Sequence, residues 1–149
     1  SNRLLDDKYG TNFQYDEAMS AKTGFQAWSF TLGLGAFMAG ASVAPLRSIL
    51  EKYILPKPGE GPSEKEQQEG MFDMRFYTQL ANGDMFVIKV EGDKDPGYGS
   101  TAKMLCQSAL CLANDVPDIA GGFWTPASAL GDHLISRLET HAGVSVSEI

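Results

Sequence analysis

From Thr23 to Leu46 the chain carries no charged residue, and this 24-residue stretch narrows the available folds more than any other feature. By length it could cross a bilayer, which takes about 20 apolar residues. Its content argues against that. Gly24, Gly33, Gly35, Gly40, Gln26, several hydroxyl residues and many alanines dilute it, whereas a spanning helix is richer in Leu, Ile and Val. The expectation is a helical segment that is buried or partly membrane-facing, not a true span. Pro45 should kink or end it, after which Leu46, Ile49, Leu50, Tyr53 and Ile54 keep helical spacing.

The remaining 125 residues set the class. A chain of 149 residues, 43% hydrophobic, fits one domain over 1–149 with a continuous core. A net charge of −7, a pI near 4.7 and basic residues that never adjoin one another argue against a nucleic-acid partner. The polar, charged opening residues do not read as a secretory signal, and two unbridged cysteines suit a reducing compartment. The expected location is the cytoplasm, with peripheral membrane contact as the alternative.

Local signals place the elements. Residues 12–19 suggest a short strand. Residues 56–62, rich in Pro and Gly, form a stiff loop, and Ser63 with Glu66 makes a capping box for a polar helix through Glu69. Phe72, Met74, Phe76 and Leu80 alternate with Asp73, Arg75, Tyr77 and Gln79. Asn82-Gly83 suits a tight primed turn, and Phe86, Ile88 and Val90 resume the alternation. A helix over about 100–113 has Ala102, Leu105, Cys106, Ala109 and Leu112 on its apolar side. Thr125 caps a further helix with Pro126 at its first position, Ala127, Leu130, Leu134 and Leu138 as the buried stripe, and Gly143 at its end. Val144 and Val146 begin a terminal strand. Without repeated β-α-β alternation, the expected class is α+β, a mostly antiparallel sheet packed against several helices.

Few residues carry chemistry. Cys106 and Cys111, five apart, point in different directions, do not have metal-ligand spacing, and read as small core residues. His133 and His141 lack the neighbours of a triad or metal site. Gly33, Gly35 and Gly40 imitate a dinucleotide fingerprint, but the third glycine is two positions late and no β-branched strand precedes the first. Asp93–Lys103 is the most suggestive segment. Gly97 and Gly99 allow sharp turns, the following helix offers unpaired amides, and Thr101 and Lys103 add a hydroxyl and a cation suited to a carboxylate, phosphate or thioester oxygen. The competing reading is structural: Asp-Pro-Gly turns, and Ser100 or Thr101 caps a helix.

Three blocks occur together: Leu-Pro-Lys-Pro-Gly-Glu-Gly-Pro-Ser at 55–63, Gly-Asp-Lys-Asp-Pro-Gly-Tyr-Gly-Ser-Thr-Ala-Lys-Met at 92–104, and Gly-Gly-Phe-Trp-Thr-Pro-Ala-Ser-Ala-Leu-Gly at 121–131. With the Gly/Ala-rich segment before them, they resemble the C-terminal half of saccharopine dehydrogenase-like oxidoreductases, in the branch that includes the trans-acting enoyl reductases. The resemblance covers the chain from about Tyr15 to its end. It implies a C-terminal substrate and dimerisation domain whose NAD(P) sits in an N-terminal Rossmann domain absent here, so that this piece holds no cofactor and is not catalytic alone. The implied partners are that Rossmann domain, a second copy, and a small-molecule or lipid-like acyl substrate. The loop at 95–103 is then expected to contact substrate or the Rossmann domain, with Asp95, Gly97, Tyr98, Gly99, Thr101 and Lys103 as the substrate-binding candidates. The alternative is a non-catalytic lipid- or membrane-surface-binding module built on 23–46.

Overall fold

The computed structural model describes residues 1–57, 59–80 and 82–149. Pro58, inside the loop expected at 56–62, and Ala81, beside the expected turn, lie outside the described residues. The chain, expected as one domain, packs as two compact units: an inserted unit, Phe13–Gly61, and a sheet unit, Ser1–Asn12 with Pro62–Ile149.

In the inserted unit the strand expected at 12–19 does not form. Local polar bonds take its place: Glu17 donates its N–H to the Asp16 carboxylate (2.8 Å), and the Tyr15 hydroxyl donates to Glu17 (2.7 Å). Helix α1 covers Gly24–Ser42, and its N-cap Thr23 accepts the Gln26 N–H at 3.2 Å. Val43 is extended and breaks the helix. Helix α2 then covers Ala44–Tyr53 with Pro45 in its first turn, bent 113° from α1, as the proline anticipated. The two helices approach closely where Gly40 faces Leu50: a Cβ there would sit 3.5 Å from the leucine's Cδ1. Gly33, Gly35 and Gly40 are all inside α1, so the phosphate-turn geometry of a dinucleotide fingerprint does not arise from them.

The sheet unit is α+β. Helix α3, Glu64–Glu69, carries the capping box read from Ser63 and Glu66. Strands β1 (Phe72–Gln79), β2 (Met85–Gly92) and β3 (Val144–Glu148) form an antiparallel sheet in the order β1-β2-β3. Register places Met74 opposite Val90 and Phe76 opposite Ile88, and Val146 opposite Val90, so one face is apolar. The other carries Asp73, paired with Arg75 (3.1 Å) and Lys89 (3.8 Å). The β1–β2 connection departs from the tight primed turn. Leu80 donates to the Asp84 carbonyl, Gly83 donates to that of Leu80, and Gly83 is the described turn residue with positive φ (94°). Asn82 instead uses its side chain, accepting the Asp84 N–H at 3.0 Å.

Helices α4 (Gly99–Asn114) and α5 (Pro126–His141) complete the unit, α4 against α5 and α5 against β3. Thr125 and Ser128 form the N-terminal box of α5, with Pro126 at its start. Gly131 (φ 48°) interrupts the helix, and Gly143 (φ 68°) follows its end, where a Cβ would run into the Asp93 carboxylate. Among the described residues the buried centre is small: Gly92, Ser100, Cys111, Leu130, Ala142 and Val144.

The face α4 buries reverses the sequence expectation. Ala102, Leu105, Cys106, Ala109 and Leu112 are exposed, Leu105 at 70%, while Ser100, Lys103, Met104, Gln107, Ser108 and Cys111 turn inward. Polar tertiary partners override the apolar stripe: Lys103 reaches Asp93, and Gln107 accepts from Arg137 on α5. Cys106 is therefore not the core residue it was expected to be, whereas Cys111 is. On α5 the stripe holds better, with Leu130 buried and Leu134 and Leu138 half-buried, though Ala127 is exposed.

Candidate functional site

The Asp93–Lys103 segment links β2 to α4 and is braced from several directions. Gly92 cannot take a side chain, because a Cβ would penetrate the Phe72 ring. Asp93 donates its N–H to Gly143 (3.1 Å), and its carboxylate receives the Lys103 ammonium at 2.9 and 3.2 Å. The Asp95 N–H reaches the Gln67 carbonyl (3.1 Å), and Ser100, fully buried, donates its hydroxyl to Lys94 (3.0 Å). A Cβ on Gly99 would fall 2.7 Å from the Gln67 carbonyl oxygen and 2.9 Å from the Lys94 Cβ.

The six expected contact residues thus lie together in one loop and helix start. The side chains of Asp95, Thr101 and Lys103 engage the protein's own groups. Asp95 accepts the Tyr98 N–H at 2.6 Å, and its backbone carbonyl accepts that of Ser100 at 2.8 Å. Its carboxylate occupies the positive end of α4, where an anionic ligand would have to compete with it. Neither Ser100 nor Thr101 caps the helix. Thr101 donates back to the Pro96 carbonyl, and Lys103 is committed to Asp93. A Cβ on Gly97 would crowd the Asp95 carboxylate at 3.3 Å, and Tyr98, 54% exposed, is the large side chain of the six that faces outward.

The outward stripe of α4 builds a second feature that the sequence did not reveal as a site. Leu105, Ala109 and Leu112 face Ile119 and Trp124 of the connecting segment and Leu130 of α5, around an apolar trough of about 530 Å³. The Trp124 indole is fixed by donating its N–H to the Ala120 carbonyl at 2.8 Å. A volume of this size lies in the range of small-ligand sites, which are apolar with few polar groups. The sequence signal is Phe123-Trp124 in a Gly-rich connector beside a helical stripe whose spacing by itself predicts a core face.

A polar cleft on the other side of the α4–α5 pair is lined by Asp115, His133, Arg137 and His141. Arg137 grips both Asp115 oxygens, one at 2.9 Å, and donates to Gln107 at 3.2 Å. This ties the two helices across 22 residues of sequence. The guanidinium draws the Asp115 carboxyl down to about 2, and burial pushes the neighbouring Cys111 thiol up, away from the reactive thiolate. The arrangement is a staple. Among the described residues no group of three or more His, Cys, Asp or Glu gathers with metal-binding geometry.

Neither a family model nor a solved structure matches the chain. Named relatives do. A Mycobacterium tuberculosis (strain H37Rv) protein whose name places it with the trans-acting enoyl reductases is 36% identical over 98% of this chain and 36% of its own length. The trans-acting enoyl reductase of Mycobacterium ulcerans is 35% identical over 99% of this chain and 37% of its own length. That of Mycobacterium bovis (strain BCG / Pasteur 1173P2) is 37% identical over 93% and 35%. The chain spans about a third of the length of these relatives, and over that third it is homologous to proteins named trans-acting enoyl reductases.

Proposed function

We propose that this chain is the substrate-side portion of an oxidoreductase of the enoyl reductase type, saccharopine dehydrogenase-like in its parent architecture, and that it takes a lipid-like acyl substrate. The observation that carries the reading is identity of 35–37% with trans-acting enoyl reductases over nearly the whole chain. The apolar trough supports it, since it is lined by the side chains an acyl segment would wet. The loop at Asp95–Lys103 leads into α4, the helix whose stripe lines the trough, and in this reading its exposed Tyr98 is the side chain left to meet substrate beyond the trough.

The glycine run that imitates a dinucleotide fingerprint is helical throughout and offers no phosphate turn. In this reading hydride chemistry belongs to a part of the parent protein outside these residues, with NAD(P) as its source. This chain binds and orients the acyl group and excludes water from it.

The test is an α,β-unsaturated acyl thioester of N-acetylcysteamine, titrated against the Trp28→Phe protein so that Trp124 alone reports. Saturable change in Trp124 fluorescence is expected, and Ala109→Phe, which fills the trough, should weaken binding about tenfold or more. Unchanged affinity in Ala109→Phe, with the fold intact by circular dichroism, would remove the trough from the substrate path.

A further inference from the structure

The inserted unit presents a surface that the reductase reading does not use. Phe25, Trp28, Phe30, Leu32, Leu34, Phe37 and Met38 are distributed around all sides of α1, and every one of them is exposed, Phe25 at 82%. A helix that packs on one protein partner needs a single apolar stripe; one that is apolar all round suits an environment that surrounds it. Three of its hydroxyl groups are already satisfied within the helices. Thr31 donates to the Ala27 carbonyl (2.9 Å), Ser42 to that of Met38 (2.8 Å) and, on α2, Ser48 to that of Ala44 (3.1 Å). That is the condition for polar groups to enter hydrocarbon at low cost.

Charge and shape point the same way. The inserted unit holds four basic and four acidic residues and is neutral, whereas the whole chain carries −7. Its charges stop at Lys22 and resume at Arg47, where Arg47 pairs with Glu51. Near the end of α2 the Lys52 ammonium lies 5.1 Å over the Tyr53 ring, a pair suited to the headgroup layer. Among the described residues no single helix is long and apolar enough to cross a membrane, but α1 and α2 together, bent by 113°, have the length and composition of a broken or re-entrant one.

We infer that α1 and α2 form a bent wedge that enters one face of an electrically neutral lipid bilayer, with α1 in the hydrocarbon and the Lys52-Tyr53 end of α2 among the headgroups. This inference stands independently of the reductase reading. The wedge anchors the chain at a surface where long-chain lipids are held.

The experiment is flotation of the full chain with vesicles of phosphatidylcholine alone and of phosphatidylcholine mixed with phosphatidylglycerol. Binding should be at least as strong to the neutral vesicles, because the net negative charge opposes the anionic ones. Leu32→Glu should reduce partitioning roughly 100-fold, given the cost of a charge within hydrocarbon. Brominated phosphatidylcholine should quench Trp28 in Trp124→Phe and leave Trp124 unquenched in Trp28→Phe. Protein that stays in the aqueous fraction with both vesicles, or a Trp28 that is not quenched, would overturn the wedge. So would a full chain whose dimer Leu32→Glu dissociates without any change in flotation, which would assign the surface to a second copy.

Discussion

The two packing units of this chain solve the same problem in opposite ways. In the sheet unit the buried centre is small, and specific polar contacts hold the elements around it: Arg137 on Asp115, Lys103 on Asp93, and Ser100 on the Lys94 carbonyl. It carries eight basic and fifteen acidic residues, and so the whole of the net charge. The inserted unit is neutral, has no buried residue in either helix, and exposes large apolar side chains on every side of α1. The lesson is that apolar content does not locate the core. The uncharged apolar stretch 23–46 is exposed nearly throughout, and a polar face of α4 is the buried one.

Stability should follow that division. Leu130→Ala empties a buried position and should cost about 2–5 kcal/mol in urea unfolding. Phe25→Ala removes a larger side chain from α1, yet its effect should stay within about 0.5 kcal/mol, because that side chain is already in water. Comparable losses in the two variants would break the comparison, for they would mean that α1 is covered in the folded chain.

A smaller effect sharpens it. Asp115 has its folded pKa drawn below the ordinary 3.8 to about 2, chiefly by Arg137. A depressed carboxyl contributes stability that is fully present above its unfolded value and lost as pH falls through the folded one. The sheet unit should therefore lose stability between roughly pH 4 and pH 2. Asp115→Asn should be less stable at neutral pH and show a flatter profile in that window, read from urea midpoints across the pH series. Parallel profiles for the two proteins would show that the staple contributes nothing.

Short-range chemistry was legible in the sequence. The Ser63–Glu66 and Thr125 caps, the break at Pro45, the β1–β2 pairing and the terminal strand after Gly143 each rest on residues a few positions apart, and each is present. What failed depended on distant partners. Residues 12–19 read as a strand but found no pairing edge, and the α4 stripe read as core although Arg137 and Asp93 turn the opposite face inward. The loop from Asp95 to Lys103 was recognised as a conformational unit. Its residue types suggest a ligand contact, and in the structure Asp95, Thr101 and Lys103 also hold the loop's own shape. The trough was missed because Trp124 and the α4 stripe meet only in three dimensions.

The most direct test of the contrast between the units is hydrogen exchange of the full chain, followed by mass spectrometry, with and without phosphatidylcholine vesicles. Amides of Gly24–Tyr53 are expected to slow when vesicles are added, while those of Gly99–His141 keep the same rates. Unchanged exchange in α1 and α2, or new protection confined to α4 and α5, would contradict that contrast.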